Sequence, residues 1–128
     1  MMVLDASAVL ALLQDETGAD EVEDAIDSGA VISSVNLAEV LGKMVDAGAT
    51  PDAAAGLVLG LFAEVETFGL QAARDTAAIR AAAPDRSLSF GDRACLSLAR
   101  LRGLPVVTAD RAWRQVAGPL ELDIRIVR

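Results

Sequence analysis

At its start the chain changes period. MMVL is a short apolar run closed by Asp5, and the following ASAVLALLQ repeats its apolar residues at helical spacing. The pattern predicts a strand over Met2–Leu4 and a helix directly after it. DETG interrupts the repeat, ADEVEDAIDSG resumes it as a second helix, and AVISS predicts a second short strand. Ser34 opens a helix in SVNLAEVLGKMVDAG, and Pro51, tolerated in a first helical turn, starts another in PDAAAGLVLGLF. EVETF reads as a weak strand. GLQAARDTAAIRAAA predicts a helix stopped by Pro84, and SFGDRACLSLARLRG one ended by Gly103. LPVVTAD is a strand, and a short helix around Arg111–Ala117 and a strand near Ile124–Val127 close the chain.

Short apolar strands alternate with helices, and no hairpin turn joins one strand to the next. That order predicts a single three-layer α/β domain over residues 1–128, with a central parallel sheet of about five strands flanked by helices. No internal repeat or linker divides it.

Composition narrows the chemistry. With 128 residues, 53% of them hydrophobic, the chain can bury one core but is short for two domains. The N-terminus carries an acid at position 5 and no basic stretch, which is wrong for a secretory signal, so a cytoplasmic location is expected. The longest apolar run, Ala53 to Ala63, falls short of the roughly 20 residues that span a bilayer and reads as a buried or interface helix. Its Gly56-x-x-x-Gly60 spacing would admit a second helix or a plain internal contact. There is no histidine and only one cysteine, Cys95, which removes internal disulfides, Ser-His and Cys-His nucleophile pairs, two-histidine ribonucleases and ordinary zinc sites. Carboxylates, hydroxyls, one Lys and ten Arg remain.

The net charge of −8 opposes polyanion binding, but it is unevenly spread. Residues 1–73 hold thirteen acids against Lys43 alone, whereas residues 74–128 hold ten Arg against six acids. Such a split suggests an acidic site beside an arginine-bearing face.

Four acids stand out. Asp5 and Asp110 each follow an apolar strand and precede a helix, where doubly wound sheets bind ligands, although either alone is also an ordinary N-cap. Asp92 completes a capping box with Ser89, and Glu39 could pair with Lys43 on a solvated helix face. As a set they say more. Converging on one rim, they would raise one another's pKa or require a cation, and hard oxygen donors without His or Cys select Mg²⁺ or Mn²⁺.

VLDASAVLALL with Asp5, SSVNLAEV with Glu39, SFGDRACLSLA with Asp92 and VVTADRAW with Asp110 resemble, in order and approximate spacing, the four acidic motifs of PIN domains. The likeness spans nearly the whole chain, although residues 45–85 carry no diagnostic motif, and the length and first and third motifs look most like VapC-type toxins of toxin-antitoxin pairs. The resemblance implies a Mg²⁺- or Mn²⁺-dependent endoribonuclease acting on RNA, silenced by a cognate antitoxin and forming a homodimer. On that reading Asp5, Asp92 and Asp110 hold the metal directly or through water, and Glu39 is a further ligand or orients the attacking water. Ser7, Asn36 and Thr108 match polar positions that accompany the acids, and read equally as caps and turn hydrogen bonds. Arg86, Arg93, Arg111 and Arg114 flank the third and fourth motifs and could hold the RNA backbone, or sit solvated. Cys95 and Trp113 read as core residues.

Two other phosphate chemistries fit poorly. A haloacid-dehalogenase-type phosphatase needs an acid where Ser7 stands, and a phospho-receiver needs a Lys after its last strands, whereas Lys43 lies in an early helix. A PIN-like fold that binds without catalysis and a DNA-directed PIN nuclease remain as alternatives.

Overall fold

The computed structural model describes residues 1–84 and 87–128. Five strands, β1 (Met2–Leu4), β2 (Ala30–Ser33), β3 (Glu64–Glu66), β4 (Val106–Thr108) and β5 (Ile124–Ile126), form one sheet in the order β3-β2-β1-β4-β5. Every pairing is parallel, as the alternation of strands and helices predicted. The helices are α1 (Ala6–Leu13), α2 (Ala19–Asp27), α3 (Ser34–Asp46), α4 (Pro51–Leu59), α5 (Leu70–Ala82), α6 (Phe90–Arg102) and α7 (Arg114–Leu120).

The central strands β1, β2 and β4 are buried on both sides, and successive residues serve opposite faces. Val3, Val31 and Val106 pack with Ile79, Leu96, Trp113 and Val116 on the side of α5, α6 and α7. Leu4, Ile32 and Val107 pack with Val9, Val22, Val40 and Val58 on the side of α1 to α4. The three-layer arrangement follows. Cys95 and Trp113 are fully or almost fully buried core residues, as read from the sequence.

Local signals behaved as expected at most helix ends. Asp5 caps α1, Thr50 caps α4 ahead of Pro51, Ser89 and Asp92 form a reciprocal capping box on α6, and Gly103 ends α6 at φ +64°. Helix α3 opens at Ser34, as the pattern predicted, and Ser33 caps it. The last predicted helix is split into a 3-10 turn over Arg111–Trp113 and α7. Helix α4 buries only Ala54 and Val58 and leaves Leu57 and Leu59 about half exposed, so its apolar run is chiefly a surface. A Cβ at Gly56 would meet nothing within 4 Å, which removes the internal-contact reading of the glycine pair. No helix among the described residues is long and apolar enough to cross a membrane.

Sheet order positions the site. The chain runs outward from β1 through β2 to β3, then returns to the other side of β1 for β4 and β5. The order reverses between β1 and β4, which opens a crevice beyond their carboxyl ends.

Candidate active site

Asp5 follows β1 directly, at that crevice. It is 4% exposed and heavily engaged: Oδ1 accepts the Ala8 amide at 2.9 Å and the Ser7 hydroxyl at 2.8 Å, and Oδ2 accepts the Thr108 hydroxyl at 2.6 Å. The Asp5 amide itself donates to the Val107 carbonyl. Ser7 Oγ accepts the Ala109 amide, and Thr108 Oγ1 accepts the Asp110 amide, both at 3.0 Å. Two hydroxyls thus weld the ends of β1 and β4 together around one carboxylate. Burial pushes the Asp5 carboxyl from 3.8 up to about 6; the Thr108, Ala8 and Ser7 donors pull it down, and the charge of Asp92 adds to the rise.

Asp92 sits in the first turn of α6, half-buried, with Oδ2 accepting the Ser89 amide at 3.0 Å. Desolvation raises its pKa, the Ser89 donors and Arg93 oppose the rise, and the charge of Asp110 reinforces it. Asp110 is exposed beyond β4 and accepts the Ala112 amide through Oδ1 at 2.9 Å. Glu39 lies in the second turn of α3, where Asn36 Nδ2 donates to its Oε1 at 2.8 Å and to the Gly91 carbonyl at 2.9 Å. Its partner is Asn36 rather than the Lys43 that helical spacing offered. Burial raises the Cys95 thiol well above its ordinary range, and the charges of Asp5, Asp92 and Glu39 push it the same way.

Charge effects link Asp5 to Asp92 and Asp92 to Asp110, while Glu39 lies against Gly91, the residue before Asp92; Ser7 and Thr108 hold Asp5, and Asn36 holds Glu39. Each acid also has the ordinary structural job its sequence context offered, as a cap or a helix-face hydrogen bonder. Among the described residues, no three acid or cysteine side chains stand close enough together to chelate an ion by themselves. The donor chemistry nonetheless suits a hard divalent cation. Asp92 Oδ1, Asp110 Oδ2 and Glu39 Oε2 have no hydrogen-bond donor among the described residues, and Mg²⁺ characteristically combines one or two carboxylates with several waters.

The arginines are less uniform. Arg111 borders an open cleft with Ser7, Ala109, Asp110 and Arg128, and its Nε donates to the Arg128 carbonyl at 3.3 Å. Arg93 is half-buried and donates to the Leu88 carbonyl at 2.8 Å, while Arg114 is exposed at the start of α7. Arg86 lies outside the described residues. A second cleft of about 350 Å³, bordered by Ser33, Phe68, Leu70, Leu98 and Arg102, contains none of the four acids.

Gly91 is the site residue that motif reading missed. It is buried beneath the Glu39 carboxylate, where a Cβ would stand 2.6 Å from Glu39 Cδ. A glycine in the first turn of a helix, immediately before a candidate ligand, was the available signal, because that position ordinarily favours other residues.

The PIN domain model matches residues 2–119, and the chain belongs to that family. Solved structures agree in fold. The DNA-bound VapBC of Salmonella typhimurium is 24% identical, with a TM-score of 0.73 and full coverage of both chains, 100% each. VapBC2 of Rickettsia felis, bound to a promoter DNA fragment, is 15% identical at a TM-score of 0.77 and covers 99% of this chain and 98% of its own. VapBC-5 of Mycobacterium tuberculosis, from a family of toxin-antitoxin systems, is 28% identical at 0.61, covering 99% and 97%. No curated protein sequence matches the chain.

Proposed function

We propose that this PIN domain is the toxin of a two-protein toxin-antitoxin pair and hydrolyses RNA phosphodiester bonds with Mg²⁺ or Mn²⁺. The observation that supports the reading is the buried Asp5 carboxylate after β1, tied by Thr108 to the end of β4 where the strand order reverses. PIN domains are generally nucleases, and the three structural relatives above are toxin-antitoxin complexes.

Asp5, Asp92 and Asp110 would hold the cation, directly or through water, and Glu39 would be a further ligand or orient the attacking water. When bound, the cation lowers the pKa of a water and offsets charge on the scissile phosphate. Ser7 and Thr108 keep the Asp5 oxygens in place and stabilise its ionised form. Arg111 and Arg114, exposed beside Asp110, contact the RNA backbone, and Arg93 screens Asp92. A cognate antitoxin silences the site by presenting basic side chains to the acids, a pairing that guanidinium and carboxylate geometry favours. The working form is a cytoplasmic homodimer.

Purified protein should cleave members of a panel of structured RNAs in Mn²⁺ and none in EDTA. Uncleaved RNA in Mn²⁺ by folded protein would leave a binding module, and cleavage of DNA alone would make the chain a DNA-directed nuclease.

A further inference from the structure

Gly91 occupies the second position of α6, where glycine is a poor helix former. Its backbone does not require glycine, because it is not among the glycines with positive φ. The space over it is filled instead by the end of the Glu39 side chain, which a Cβ there would displace. A Cβ at Gly91 would lie 2.6 Å from both Cδ and Oε2 of Glu39, closer than side-chain carbons approach any neighbour.

The same carboxylate is held from α3 by Asn36. One amide nitrogen, Asn36 Nδ2, reaches Glu39 Oε1 at 2.8 Å and the Gly91 carbonyl at 2.9 Å, so three residues close a triangle between α3 and α6. Asn36 is 1% exposed, and its Oδ1 is buried without a partner among the described residues. A buried acceptor without a donor is costly, and an apolar residue of similar shape would serve packing better. Turning the amide over would not help, because it would bring Oδ1 against two acceptors. The orphaned Oδ1 costs stability, while the two bonds donated by Nδ2 restrain Glu39 against α6.

We propose that Gly91 and Asn36 form a positioning seat for Glu39: the missing side chain makes room for the carboxylate and the amide locks Oε1, leaving Oε2 for a divalent cation or its water. The inference rests on the cation reading of the four acids. Without the seat, Glu39 is an exposed, flexible side chain that must be ordered each time a cation binds. With it, the acid from α3 is held in advance against Gly91, the residue before Asp92 on α6.

The test is a double-mutant cycle of Gly91→Ala and Glu39→Ala, read by Mn²⁺ calorimetry and by thermal midpoint in EDTA. Gly91→Ala alone should weaken Mn²⁺ binding about tenfold or more, the scale of losing a group that orients a ligand. In the Glu39→Ala background the same change should leave Mn²⁺ affinity unmoved and raise the midpoint, since only helix propensity is left to act. Asn36→Leu should weaken Mn²⁺ binding comparably while keeping or raising the midpoint. Wild-type Mn²⁺ affinity in Gly91→Ala, or an equal loss with and without Glu39, would overturn the seat. If the EDTA cycle shows the coupling and wild-type protein binds no Mn²⁺, the seat exists but the cation reading, and the role assigned through it, is overturned.

Discussion

The Thr108 hydroxyl donates to Asp5 Oδ2 at 2.6 Å, joining the last residue of β4 to the residue after β1. It is the shortest of the bonds to Asp5 and the largest influence opposing the burial that raises its pKa. Thr108→Val keeps the shape and removes the donor. We expect a loss of about 1–3 kcal/mol in denaturant unfolding at pH 7, and a further rise of the Asp5 pKa in a carboxyl NMR titration. An unchanged Asp5 titration would contradict this assignment.

The raised Asp5 pKa sets a sign for the pH dependence. Folding lifts it from 3.8 to about 6, mainly by burial, so between those values the folded state binds more protons than the unfolded state. The resulting stabilisation is complete below 3.8 and disappears as pH rises through 6. A shift of roughly two units corresponds to on the order of 3 kcal/mol. Asp92, also raised, contributes with the same sign. In EDTA the thermal midpoint of wild type should fall from pH 4 to 7 relative to Asp5→Asn, and Mn²⁺ should recover part of the loss near neutrality. A wild-type profile parallel to that of Asp5→Asn would refute the linkage.

Asp5→Asn, Asp92→Asn and Asp110→Asn should each lower the RNase rate roughly a hundredfold or more, while their midpoints in EDTA stay at or above wild type. Each Asn retains an oxygen for the capping bond from Ala8, Ser89 or Ala112, so the helix ends survive. Variants that cleave normally would show these acids to be caps and nothing more.

Two glycines should respond oppositely to alanine. Gly18, at φ +97°, lies against the Val127 carbonyl, and Gly18→Ala should cost about 2 kcal/mol or more through strain and collision. Gly56→Ala, in open space on α4, should gain about 0.5–1 kcal/mol. Thermal midpoints of the free protein measure both.

Much of the architecture was legible in the sequence because the forces that write it are local. A strand such as VVT or a helix such as SFGDRACLSLARLRG announces itself through apolar period, and its ends through contacts within a few residues, as in the Ser89–Asp92 box. The four acids could be picked out for the same reason, since each stands at or near such an end. What periodicity does not carry is which strand lies beside which. Placing β4 next to β1 brings Thr108 to Asp5 across 103 positions, and packing α3 on α6 lays the Glu39 carboxylate over Gly91, in space that a Cβ would take. Burial of Asp5, and with it the raised pKa, likewise follows from the layers closing over the end of β1. Residue order determined the elements and the candidate chemistry; only the competition among long-range pairings to bury apolar surface decided which polar groups would meet.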